Sequence, residues 1–154
     1  MNTEIWQKLD QVFAEFPVMR ADGVPASEIR SASEALGRRF DPDYCEFVAR
    51  YGGAIVGPYP VFGLRRATVM GNQWSVVDET KWFWAEHWRG VEDWYIVSLD
   101  HCGNPIGIAP NGCVMISDHD AGDIAQVAPS FEGFIAICLA GGRHRGKDSR
   151  PIPE

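Results

Sequence analysis

WYIVSLDHCGNPIGIAPNGCVMISDHDAGDIAQVAPS, residues 94–130, is the stretch whose reading decides the architecture. Four apolar runs, at 94–99, 105–109, 113–117 and 124–127, are short and rich in β-branched or aromatic side chains. Between them lie His101-Cys102-Gly103-Asn104, Pro110-Asn111-Gly112 and Ala121-Gly122, which are tight-turn material. Connections this short can only return the chain on itself, so the stretch predicts an antiparallel meander of hairpins.

Working outward, Pro129-Ser130 opens a closing helix that carries Phe131, Phe134, Ile135, Cys138 and Leu139 and stops at Gly141-Gly142. Upstream, 72–89 contains no glycine and places Val77, Lys81, Trp84 and Trp88 on one helical face, with Trp82 and Phe83 to the side. Residues 54–64 break into two brief extended pieces at Gly57, Pro58, Pro60 and Gly63. Three helices precede them. Ile5, Leu9, Val12, Phe13 and Phe16 mark the first, ended before Pro17. Ile29, Ala32 and Leu36 mark the second, which begins near Pro25 or Ala26 and ends at Gly37. The third has Asp41 as N-cap, Pro42 at the first helical position, a stripe of Tyr44, Phe47, Val48 and Tyr51, and a Gly52-Gly53 stop. Helices, then a sheet, then a helix make an α+β domain over 1–142, with helices packed against a largely antiparallel sheet. Residues 143–154 read as a flexible basic tail.

The chain has 154 residues and is 45% hydrophobic, enough for one core. No apolar run approaches a membrane span and the N-terminal residues do not form an export signal, so a soluble cytoplasmic protein without a membrane partner is expected. Cys45, Cys102, Cys113 and Cys138 fall in segments that look like core elements and read as reduced thiols. The net charge is −7, which argues against nucleic acid as a partner and suits a basic protein. The charge is uneven: residues 1–77 hold 9 acidic and 8 basic side chains, whereas 78–123 hold 9 acidic ones against Lys81 and Arg89 alone.

Two blocks of residues resemble the SUKH superfamily, which includes a yeast cell-wall-assembly regulator and many bacterial immunity proteins. The first is Glu28-Ile29, Glu34, Leu36-Gly37, Phe40, Tyr44, Phe47 and Tyr51-Gly52-Gly53. The second is residues 96–100, Gly103-Asn104, Ile106, Ile108, Gly112, Val114, Asp118-His119-Asp120 and residues 127–131 with Phe134-Ile135. The family usually sets Leu beside Pro, whereas Phe40-Asp41-Pro42 displaces the proline by one, and Asp41 supplies a cap in compensation. The resemblance implies a SUKH-like fold and a non-enzymatic immunity protein that binds and silences a cognate bacterial toxin, such as a nuclease or another toxin domain. It leaves the toxin unnamed. A regulatory interaction scaffold, as in the eukaryotic relative, is the alternative.

Other chemistries fit these residues less well. Asp118, Asp120 and Asp123 alternate as calcium ligands do, but Gly122 precedes Asp123 and Pro129 stands where a bidentate glutamate is required. His101, Cys102, Cys113 and His119 lack the short spacings of a zinc site. Cys102 with His119 could serve a small cysteine-dependent hydrolase, yet no nucleophile motif surrounds them. Glu132 and the scattered acids share no pocket that the sequence reveals. No cofactor or metal is therefore expected. The aromatic cluster Trp74, Trp82, Phe83, Trp84, Trp88, Trp94 and Tyr95 is different, because one helix cannot hide every side of a Trp-Phe-Trp triplet. Asp78, Glu79, Trp82, Phe83, Glu86, Glu92 and Asp93 are the expected partner-binding residues, with Val77, Trp84 and Trp88 turned inward and Trp82 and Phe83 partly outward.

Overall fold

The computed structural model describes residues 1–142; the expected basic tail at 143–154 lies outside the described residues. Three helices come first: α1 (Thr3–Glu15), α2 (Ala26–Leu36) and α3 (Pro42–Tyr51). Each begins or ends as its sequence dictates. Asp41 accepts hydrogen bonds from the amides of Asp43 and Tyr44 at 2.9 and 3.2 Å, satisfying two donors at the start of α3. Gly37 ends α2 at φ 63°, a conformation side chains with a Cβ resist. A small hairpin follows, β1 (Ala54–Val56) and β2 (Tyr59–Val61).

After α4 (Val76–Ala85) the chain enters the meander: β3 (Tyr95–Leu99), β4 (Pro105–Ile108), β5 (Val114–Asp118) and β6 (Asp123–Ala128), followed by α5 (Phe131–Leu139). The four strands lie in sequence order and every pairing is antiparallel. One register row runs Tyr95, Ile108, Val114, Ala128 across the sheet, and all four are buried. This face receives the helices through a chain of aromatic contacts. Tyr95 meets Phe40 and Tyr44, Tyr44 meets Phe131 of α5, Phe131 meets Phe47, and Phe47 meets Tyr51, which reaches Phe13 of α1. The opposite face is covered by the α4–β3 connection: Trp94 lies over Gly107, and the Ser117 hydroxyl donates to the Arg89 carbonyl at 2.6 Å.

The outer edge of β3 would offer unpaired backbone groups. Phe62 N–H donates to the Val97 carbonyl at 2.7 Å, and Ile96 N–H donates to the hydroxyl of Thr80, a fully buried residue of α4, also at 2.7 Å. Thr80→Val keeps the shape and removes the acceptor. We expect a loss of about 2 kcal/mol, the cost of one buried unsatisfied amide. In thermal unfolding followed by circular dichroism this is a fall in Tm of about 4–8 °C, and an unchanged Tm would show that the bond contributes nothing.

Two expectations are corrected. The helix expected over 72–89 is shorter, because Ser75 caps it by accepting from Asp78 N–H at 3.1 Å and His87 leaves helical geometry at φ 54°. Its buried stripe is Val76, Thr80 and Phe83, each one residue earlier than Val77, Lys81 and Trp84 of the expected inward face. Phe83 is therefore buried, at 2% exposure, and not partly outward. The indoles are half-buried for a physical reason: an enclosed indole N–H needs an acceptor. Trp84 finds the Val91 carbonyl at 2.9 Å and Trp88 the Ser117 carbonyl at 3.2 Å, both at the margin of the core. Of the four cysteines, all free thiols, Cys138 is buried and Cys45 and Cys113 partly so, but Cys102 is exposed in the β3–β4 turn. No helix among the described residues is long and apolar enough to cross a membrane.

Candidate functional site

The outward side of α4 carries Asp78 and Trp82, with Glu86 at its C-cap, four residues apart, a spacing that stacks side chains on one helical face. Trp82 is 51% exposed, among the most exposed large apolar side chains of the described residues. Its ring stands edge-on against Phe83, with centroids 4.9 Å apart and planes at 89°. Buried Phe83 thus serves as a seat for Trp82 and is not itself a contact surface. Glu79 is half-buried and accepts a hydrogen bond from Gln73 Nε2 at 3.1 Å. Burial raises the pKa of its carboxyl, the neighbouring Asp78 charge adds to the rise, and the Gln73 bond opposes it.

Glu92 and Asp93, both exposed, sit elsewhere. Trp82 and Trp84 leave the helix about 200° apart, and the α4–β3 connection passes on the Trp84 side, where the Trp84 indole bonds Val91. There Arg38 lies 5.0 Å from the Trp84 ring centroid and donates to the Glu92 carbonyl at 2.7 Å. The structure therefore groups Asp78, Glu79, Trp82 and Glu86 and sets Glu92 and Asp93 apart from them.

The acidic face extends in a direction the sequence did not reveal. Beside Glu86 a cleft of about 350 Å³ opens between residues 86–89 and the β5–β6 turn, with Asp118 and His119 on its far wall. Arg89 ties the two sides by donating to the Gly122 carbonyl at 2.7 Å. Exposed Asp120 and Ile124 flank the same turn. Only the uneven charge of 78–123 hinted that these acids belong with α4.

The turn residues whose spacing argued against metal or thiol chemistry have structural partners. The Asp118 carboxylate accepts from the amides of Asp120 and Ala121, each at 3.0 Å, as a hairpin turn requires. Among the described residues no three His, Cys, Asp or Glu side chains stand together as metal ligands would. His101 stacks on Tyr59 and His119 packs at a tilt against Trp88, while Asp100 accepts from the amides of Cys102 and Asn104 and so holds the turn.

Two further concavities adjoin the α2–α3 loop. One, of about 430 Å³, has Arg38, Asp93, Tyr95 and the β4–β5 turn as walls. The other, of about 520 Å³, runs between α2 and α3 and is lined by Ala26, Ile29, Arg30 and Ser33 on one side and Pro42, Cys45, Glu46 and Ala49 on the other. Both sets repeat an i, i+3, i+4, i+7 spacing, so each wall is a single helix face. This pairing was legible in neither helix alone.

Compared with known proteins, the model of the SMI1 / KNR4 family (SUKH-1) matches residues 23–137, from just before α2 into α5. None of the curated proteins compared matches the chain.

Proposed function

The chain belongs to the SMI1 / KNR4 family (SUKH-1), and from that premise we propose that it is an immunity-type protein that neutralises a cognate bacterial toxin by binding it, without turnover. The observation that carries this reading is Trp82. A large indole left half in water on an otherwise well-packed domain contributes little to the core, and an aromatic anchor with a polar rim is the usual centre of binding energy at an interface. Asp78 and Glu86 border it, and the excess of acids over 78–123 adds a negative field that favours encounter with a basic surface. A toxin domain with a basic substrate-binding surface is the partner this arrangement suits.

The test is co-purification with the polypeptide encoded beside this protein, followed by titration calorimetry at two salt concentrations. A one-to-one complex whose affinity falls about tenfold or more from low to high salt is the expected result, because rim charges are screened beyond about 10 Å at 0.1 M salt. Absence of a complex with that polypeptide overturns the reading. Several partners of modest affinity in its place favour a regulatory scaffold.

A further inference from the structure

The groove between α2 and α3 differs in charge from the rest of this acidic protein. Its floor is apolar, formed by Ile29 and Phe40, both buried below 7% exposure, and its rim carries Arg30 and Arg39. Both arginines are exposed, and neither guanidinium has an ion pair or hydrogen bond among the described residues. The one acid on the rim, Glu46, is neutralised from outside the groove by Arg50, whose Nε and Nη2 donate to it at 3.0 and 2.6 Å. Arg38, the neighbour of Arg39, is spent on the carbonyls of Gly37 and Glu92. An apolar slot with two uncommitted guanidiniums over it is thus built into a chain of net charge −7.

We propose that this groove docks an acidic segment of a partner protein, which inserts one or two apolar side chains over Ile29 and Phe40 while its carboxylates pair with Arg30 and Arg39. Each helix wall spans two turns, about 10 Å at 1.5 Å per residue, so the groove takes a short anchor and not a long helix. Guanidinium forks suit carboxylates because two parallel N–H donors match two oxygens. The volume, about 520 Å³, falls within the roughly 300–1,000 Å³ of sites that enclose ligands. The site is opposite in charge to the Trp82 face and independent of the toxin reading, so either can fail alone.

The test uses the full chain and the peptide fluorescein-Asp-Glu-Leu-Phe-Glu-Asp-amide, labelled at its N-terminus in place of an acetyl cap, followed by fluorescence anisotropy. Two control peptides replace the acids by lysine or the Leu-Phe pair by serine. Saturable binding of the acidic peptide below about 1 mM, with neither control bound, is the expected result. Ala49 is exposed on the groove wall, so Ala49→Trp fills the slot without disturbing the core and should abolish binding. Arg30→Glu with Arg39→Glu should weaken it about tenfold or more, and Trp82→Ala should leave it unchanged. Circular dichroism confirms that each variant is folded. No saturable binding, equal binding of the lysine peptide, or binding that survives Ala49→Trp overturns the proposal.

Discussion

Trp82→Ala should weaken the proposed toxin complex by about 30-fold or more, equivalent to at least about 2 kcal/mol, the range of interface hot spots. Stability should change by no more than about 1 kcal/mol, as for an exposed substitution away from the core. The separation of the two effects follows from geometry. Half of the indole already faces water, and its main neighbour, Phe83, is anchored by the core and not by Trp82. Replacing Asp78 and Glu86 by lysine addresses a different quantity. Those carboxylates act at a distance, so their reversal should slow association and reduce its salt dependence more than it speeds dissociation. Stopped-flow association and dissociation rates check both statements. A toxin complex indifferent to Trp82→Ala would move the interface off α4, leaving the family and fold untouched.

Tyr44→Ala should be the most damaging single change to the fold, costing about 3–5 kcal/mol, as large aromatic truncations in cores do. Tyr44 is fully buried and its ring touches Phe40, Tyr95 and Phe131, which come from the α2–α3 loop, the sheet and α5. One side chain thus joins three elements that are distant in sequence. Its hydroxyl donates to the Phe62 carbonyl at 2.6 Å, and burial raises its pKa well above the usual tyrosine range, so the donor proton is retained. Domains of this kind are stable by only about 5–15 kcal/mol, so the loss takes a large share of the total. Urea unfolding at neutral pH measures it. Tyr44→Phe separates the parts: it keeps the ring contacts and removes the bond, and should cost about 1–2 kcal/mol. Equal losses in the two variants would mean that the hydroxyl, and not the packing, carries the effect.

Much of the fold was legible from local rules. The turns Gly103-Asn104, Asn111-Gly112 and Ala121-Gly122 separate four strands that the structure places within one or two residues of the expected limits, because tight-turn chemistry acts between near neighbours. The Asp41-Pro42 start of α3 and the Gly37 stop of α2 are local in the same sense. The candidate site was only partly legible. Helical spacing places Asp78, Trp82 and Glu86 together whatever else the chain does, but it could not say which aromatic would be hidden. Helix α4 has apolar side chains on several sides, so periodicity alone leaves its orientation open. Thr80 settles it by accepting the amide of Ile96 at the edge of β3, which turns Phe83 into the core and leaves Trp82 outside.

Local signals, which act over a few residues, therefore determined the elements of this protein, their order, its α+β class and its family likeness. The tertiary structure alone decided which surfaces exist. Setting Asp118 and His119 across a cleft from Glu86, parting Glu92 and Asp93 from Trp82, and opening a groove between the 26–33 and 42–49 faces all depend on contacts between residues far apart in the chain. Such contacts are selected by the joint demands of filling volume and pairing every buried donor, which no single segment can express.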